Sequence, residues 1–295
     1  MYTSDKNYVF HNGAFLKAKN NGASFYSQAL HYGYAAFEGI RAYGTDHGVV
    51  LYRAKDHFER FFRSAEALDL EIPYSLEELI QASYELLNRN NLTDAYVRPL
   101  IYGGDQMGLI PSQDPKFLIV AFKWQKYYRA PHLKLHISPY RRLKQPAFHG
   151  DGKISGYYVN AILATRKAKA NGFDEALMLD DEGYIAQGPS SNFFFQKGDK
   201  LYTPQEGNIL PGITRKTIIK LAKEVGIEVV EGRFKPSDLE DIQGAFLTGT
   251  AVEVIPIHSI EGRLMTEDFD HTMGKMLANS YRKLVKLQEP EVVYF

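Results

Sequence analysis

The chain has 295 residues, 44% hydrophobic and 24% charged, with 35 basic and 35 acidic side chains and no cysteine. That size and composition suit a globular protein of two domains, or one large one, whose core needs no covalent staple. A formal charge of zero gives no electrostatic case for a nucleic-acid or membrane partner, and the lack of cysteine excludes disulfides, thiolate zinc sites and thiol nucleophiles.

Met1 to Lys6 lack the basic and then apolar regions of a signal peptide, and no uncharged apolar run reaches the ~20 residues that span a bilayer, so a cytoplasmic location is expected. From His57 onward, Phe58, Phe61, Phe62, Ala65 and Leu68 recur at helical spacing and predict a helix with one buried stripe. Arg60 lies off that stripe and reads as a surface charge. Ser75-Leu-Glu-Glu78 reads as a capping box opening a second helix, which carries Leu79, Ile80, Leu86 and Leu87. Phe117 to Phe122 is continuously apolar and too short for a helix, the pattern of a buried strand. Lys126 to His132 breaks both periodicities and is the candidate linker, after which Leu133 to Ile137 alternates as a half-buried strand would.

A further helix is expected from about Val159 to Ala170, stopping at Asn171-Gly172. Ala176 to Leu179 and Asn192 to Phe195 bracket the turn residues Asp180 to Gly183 and look like a hairpin. The expectation is an α/β fold with a smaller N-terminal α/β domain over residues 1–125, a linker at 126–132, and a larger, strand-rich C-terminal domain over 133–295.

Pro211-Gly-Ile-Thr-Arg215 is the sharpest local signal. The turn runs into a helix with Ile218, Leu221, Ala222 and Val225 on one stripe and Gly226 at its end. Free backbone N–H groups near Ile213 and Thr214 then meet the positive end of the helix dipole, which suits a phosphate group, although the local pattern alone favours a well-capped structural helix. Leu247-Thr-Gly-Thr-Ala251 follows an apolar strand and could add donors in a nest. Lys153 stands in Gly150-Asp-Gly-Lys-Ile-Ser-Gly156, which is not a P-loop because Ile154 replaces the magnesium-binding Ser or Thr. By itself it reads as one more solvated lysine. The chain has no Ser-His-Asp set, no H-E-x-x-H and no G-x-G-x-x-G.

Taken together, the motifs resemble the branched-chain amino acid aminotransferases, within the fold-type IV pyridoxal-phosphate enzymes (class IV aminotransferases). The resemblance rests on His31 to Tyr43 with its Phe-Glu-Gly-Ile-Arg stretch, Leu51-Tyr-Arg through His57 to Arg60, Tyr96 to Leu100, Ile209 to Arg215, and Thr248 to Glu253, in that order. It covers nearly the whole chain. It implies two α/β domains with pyridoxal 5'-phosphate in the cleft between them, and a ping-pong transamination from an L-branched-chain amino acid to 2-oxoglutarate. It also implies a homodimer or higher homo-oligomer whose partner loop, here Met107 to Ile110, closes the site.

By the same resemblance Lys153 is the Schiff-base lysine and also moves the proton from the substrate Cα, which needs a desolvated, unprotonated amine. Arg60, the backbone at Gly212, Ile213 and Thr214, and Gly249 with Thr250 are the implied phosphate anchors. Leu210 would pack on the pyridine ring and Tyr158 would bond its phenolic oxygen. Phe37, Tyr96, Arg98 and Tyr127 would shape the substrate pocket, with Tyr32, Met107, Gly108 and Ala251 beside it. One departure stands out. The family places a glutamate next to the pyridine nitrogen, and at the matching distance from Lys153 this chain has Gln187. A neutral amide cannot hold a proton on that nitrogen electrostatically, though it can donate a hydrogen bond to the bare atom. Two rival readings follow: a lyase acting on aminodeoxychorismate, and a catalytically weakened binder of the cofactor.

Overall fold

The computed structural model describes residues 7–20, 22–124, 126–142 and 152–287. Met1 to Lys6, read above for a targeting signal, and Gly150 of the lysine motif lie outside them. The chain forms two compact units. The described residues of the first are 7–124, 152–156 and 285–287; those of the second are 126–142 and 157–284. The lysine segment thus clusters with the first unit, although it follows residues 126–132 in sequence.

In the first unit, β1 (Tyr8–His11) and β2 (Ala14–Lys17) form a hairpin whose turn, Asn12-Gly13, has φ of 46° and 88°. Only the left-handed region makes so tight a two-residue turn, and Asn-Gly tolerates it. α1 (Gln28–Tyr32) is capped by Ser27 and precedes β3 (Ala35–Phe37), β4 (Ile40–Thr45) and β5 (Gly48–Leu51). Next come α2 (Ala54–Glu66), α3 (Leu76–Arg89), β6 (Ala95–Tyr102) and β7 (Lys116–Lys123). The sheet order is β2-β1-β7-β6-β4-β5, with β3 also paired to β6. The expected capping box is present, with Ser75 and Glu78 exchanging side-chain bonds at the start of α3. Phe58 and Phe61 of α2, with Leu79 and Leu86 of α3, pack on Ile40, Val97, Phe117 and Ile119. β7 is less buried than its apolar run suggests. Phe117, Ile119 and Ala121 are inside while Leu118, Val120 and Phe122 are only half-buried, so one face of the strand carries the core.

The second unit starts with β8 (Leu133–Ile137) and α4 (Tyr158–Ala170), which ends at Asn171-Gly172 as expected. β9 (Glu175–Leu179), β10 (Ile185–Gln187), β11 (Asn192–Lys197) and β12 (Lys200–Pro204) follow. Then come α5 (Ile213–Glu224), β13 (Glu228–Gly232), β14 (Gly244–Gly249), β15 (Glu253–Ile260), β16 (Arg263–Leu264) and α6 (Met273–Leu287). The order is β10-β9-β8-β15-β14-β11-β12-β13, with β16 on β15. β8 is parallel to β9 and β12 to β13, and α4 and α5 are the helices lying between those parallel partners in sequence.

The hairpin expected between residues 176–179 and 192–195 is corrected here. β9 turns back onto β10, and β11 pairs instead with β12 and β14. Gly188-Pro189 ends β10 after three residues, because proline has no N–H to offer the ladder, and the chain leaves for the other part of the sheet. Among the described residues no helix is long and apolar enough to cross a membrane.

Candidate active site

α2 carries two adjacent buried stripes. Phe58, Phe61 and Ala65 are apolar, while His57, Arg60 and Ser64, each one position earlier, are polar and equally buried. Arg60, which off-stripe placement marked as a surface charge, is only 5% exposed. Its partner is Glu38 on the β3–β4 connection, fully buried, whose Oε1 lies 2.7 Å from Nε and from Nη2 of Arg60. Glu38 Oε2 is 2.7 Å from Nδ1 of His57 and accepts the Gly39 N–H at 3.0 Å. Burial alone would raise the Glu38 carboxyl. The Arg60 guanidinium and then His57 overcome it and hold the group well below the usual carboxylate range. For His57 burial is the larger effect; it outweighs Glu38, with help from the charges of Arg60 and Lys153, and pushes the imidazole below its ordinary value.

Lys153 is half-buried, and its main chain is held on both sides. Its N–H donates to Ser64 Oγ at 2.9 Å and its carbonyl accepts the Phe37 N–H at 3.0 Å. Ile154 and Ala36 make an isolated antiparallel bridge beside it. The Lys153 Nζ lies 4.6 Å from the centre of the Phe37 ring, and the Arg98 guanidinium lies 4.6 Å from the same ring and 5.3 Å from Tyr96. Arg98 Nε is buried without a hydrogen-bond partner among the described residues. Tyr96 stacks on Trp124 at 4.6 Å and leaves no room for a side chain at residue 39, where a Cβ would fall 1.8 Å from its hydroxyl. The first unit therefore brings together Lys153, Phe37, Tyr96 and Arg98. Tyr32 and Met107 form a separate exposed pair, joined by a 2.8 Å bond from the Tyr32 hydroxyl to the Met107 carbonyl, with exposed Gly108 following.

In the second unit, Gln187 is buried. Its Oε1 accepts the Leu210 N–H at 2.7 Å and its Nε2 donates to the Gly188 carbonyl at 3.2 Å. Asn192 Nδ2 donates to the Leu210 carbonyl at 2.9 Å, so both peptide groups of Leu210 are tied down. Gly212 caps α5 without a side-chain bond, and Ile213 and Thr214 are buried in its first turn, where N–H groups have no partner within the helix. Nearby hydroxyls add to this. Ser191 Oγ and Thr248 Oγ1 are buried and have no hydrogen-bond partner among the described residues. Thr248 pairs with Asn192 across the sheet, and a Cβ on the neighbouring Gly249 would meet the Ser190 carbonyl at 3.3 Å. Thr250 and Ala251 are half-buried in the following turn. Tyr158 opens α4, half-buried, and Tyr127 is exposed with its ring edge-on to Tyr128 at 4.8 Å. Sequence reasoning missed Glu38, Ser64 and Ser191 as members of these clusters, and gave His57 no role. The available signal was the polar 57, 60, 64 repeat running beside the apolar one.

A family model described as amino-transferase class IV matches residues 35–260. A probable branched-chain-amino-acid aminotransferase of Rickettsia typhi is 39% identical over 284 residues, covering 95% of this chain and 96% of that protein. The branched-chain-amino-acid aminotransferase of Pseudomonas aeruginosa is 36% identical over 298 residues, covering 94% and 97%. Among solved structures, a T.th. branched-chain amino acid aminotransferase complexed with N-(5'-phosphopyridoxyl)-L-glutamate superposes with a TM-score of 0.91 at 36% identity, covering 97% of this chain and 96% of that one.

Proposed function

Because the chain belongs to the amino-transferase class IV family, we propose that it is a branched-chain-amino-acid aminotransferase working with pyridoxal 5'-phosphate. It takes the amino group of leucine, isoleucine or valine and passes it to 2-oxoglutarate in two half-reactions. The names of the relatives support the first substrate, and the glutamate adduct in the T.th. enzyme supports the second. The observation that carries the reading is Lys153, half-buried, clamped at both its peptide groups and aimed over the Phe37 ring.

The residues present fit the cofactor. The first turn of α5 and the unpartnered hydroxyls of Ser191 and Thr248 are donors waiting for an anion with several acceptor oxygens. When bound, pyridoxal phosphate supplies an aldehyde for covalent attachment to an amine and a conjugated ring that takes up electrons from the substrate Cα. Lys153 would provide that amine and, when free, would take the proton from the substrate Cα. The Phe37 and Tyr96 rings give an apolar wall suited to a branched side chain, and Arg98 offers a cation for a carboxylate. Gln187, a neutral amide, would offer the ring nitrogen an N–H where a carboxylate would hold a proton. Exposed Phe25, Leu30, Leu109 and Ile110 support a homodimer in which such side chains are covered.

Borohydride reduction of the reconstituted protein, followed by peptide mapping, tests the reading. A phosphopyridoxyl adduct on Lys153, lost in Lys153→Ala, is the expected result, together with production of glutamate from leucine and 2-oxoglutarate. An unmodified Lys153 peptide under saturating cofactor sinks it.

A further inference from the structure

We propose that Glu38 and Ser64 are positioning residues for Lys153, acting through a closed circuit of buried hydrogen bonds that runs through α2. The proposal rests on the reading of Lys153 as the reacting amine. From the lysine carbonyl the circuit passes to the Phe37 N–H at 3.0 Å, and the next residue, Glu38, grips Arg60 at 2.7 Å. The Arg60 carbonyl accepts the Ser64 hydroxyl at 2.8 Å, and Ser64 Oγ accepts the Lys153 N–H at 2.9 Å, which closes the ring. His57, one turn from Arg60, takes the other oxygen of Glu38 at 2.7 Å.

Each member is inside. Glu38 and Ser64 are 0% exposed, His57 1% and Arg60 5%. Burying a carboxylate and a guanidinium is costly, and an apolar set of the same shape would hold α2 against β3 at least as well, as Phe58, Phe61 and Ala65 do beside it. What apolar residues cannot do is fix both peptide groups of a neighbouring residue. Spacing makes the arrangement possible: residues 57, 60 and 64 share one helix face, and that face meets Glu38 and the segment 152–156. Of the charged groups facing His57, Glu38 and Asp56 are acidic and Arg60 and Lys153 basic.

The test uses the full-length chain and reads the Lys153 amine itself. Labelling with carbon-13 formaldehyde and cyanoborohydride, located by peptide mapping, gives the rate at Lys153 relative to exposed Lys134, and the NMR shift of the labelled amine at one fixed pH reports its surroundings. In Ser64→Ala the relative rate is expected to change by about threefold or more, because the lysine main chain loses one of its two anchors. In Glu38→Gln the carbon-13 shift of that amine is expected to move off its wild-type position. A wild-type relative rate in folded Ser64→Ala, or a wild-type carbon-13 shift in folded Glu38→Gln, overturns the proposal. Should Glu38→Gln fail to fold, Ser64→Ala, which removes one hydroxyl and no charge, decides alone. If the wild-type chain never links pyridoxal phosphate at Lys153, the functional reading falls while the labelling comparison still judges the circuit.

Discussion

Gln187 holds Leu210 in place, its Oε1 accepting the Leu210 N–H at 2.7 Å inside the second unit. A glutamate oxygen would accept that N–H equally well, so the anchor does not require an amide. The difference lies at the other terminal atom, where the amide donates and a carboxylate would accept and carry charge. Gln187→Glu gives up the bond to the Gly188 carbonyl and buries a carboxylate, so without cofactor it should be less stable than the wild type, while with cofactor it should turn over leucine and 2-oxoglutarate faster, with less change in cofactor affinity. Gln187→Leu loses the anchor, but Leu210 is only half-buried and its N–H can find water, so the cost is roughly 1 kcal/mol in unfolding free energy. Steady-state rates and denaturant titrations check both. A glutamate variant no faster than wild type refutes the account of the ring nitrogen.

Acid should remove stability over two pH ranges. His57 is held below its ordinary value of 6.5 chiefly by burial, so the unfolded chain binds its proton first. Stability is complete above pH 6.5 and is lost as pH falls from there through the folded-state value. Glu38 is held below its ordinary 4.5 by Arg60 and His57 against burial, so its contribution is lost at lower pH, below about 4.5. In His57→Gln the amide can still donate to Glu38 but does not titrate. Melting midpoints from pH 7 to 5 should fall less steeply in that variant than in the wild type, and parallel slopes would contradict the assignment.

The helices were legible because their apolar residues repeat every three or four positions. α3 and α4 also carry their own boundary signals, at Ser75 to Glu78 and Asn171-Gly172. Lys153 came from the order of motifs, as nothing local distinguishes it from a solvated lysine. The buried state of Arg60 was not legible from α2, because it depends on Glu38, 22 positions earlier, and a helical stripe carries no information about a distant partner. The placement of β11 failed for a related reason. Sequence proximity favoured pairing with β9, whereas the true partners β12 and β14 follow it in the chain.

Gly212 is fixed by crowding rather than by backbone angle, since its φ of −67° suits any residue. A Cβ there would fall 2.1 Å from Asn192 Oδ1, so Gly212→Ala must move the side chain that holds the Leu210 carbonyl. The expected outcome is at least about tenfold weaker binding of pyridoxal phosphate, from disturbing the first turn of α5, with a stability loss of about 1 kcal/mol. Equilibrium titration of the cofactor absorbance measures the first and urea unfolding the second. Cofactor affinity equal to wild type would mean the α5 terminus does not hold the phosphate.

Arg215 lies in the same turn and separates a supporting role from a direct one. It is 1% exposed, and its Nη2 donates to the Pro204 carbonyl at 2.9 Å and to Glu231 at 2.6 Å, tying α5 to β12 and β13. Glu231 is 41% exposed, so it regains water when the arginine is removed, but the buried Pro204 carbonyl does not. Arg215→Met should thus cost roughly 1–3 kcal/mol, below the figure for breaking a fully buried pair, while Glu231→Gln should cost under about 1 kcal/mol. Assayed well below its melting midpoint, folded Arg215→Met should keep wild-type KM values, because each of these contacts points into the fold. A large rise in KM with stability unchanged would place the guanidinium at the ligand instead, and α5 would then bind its anion through a side chain as well as its main chain.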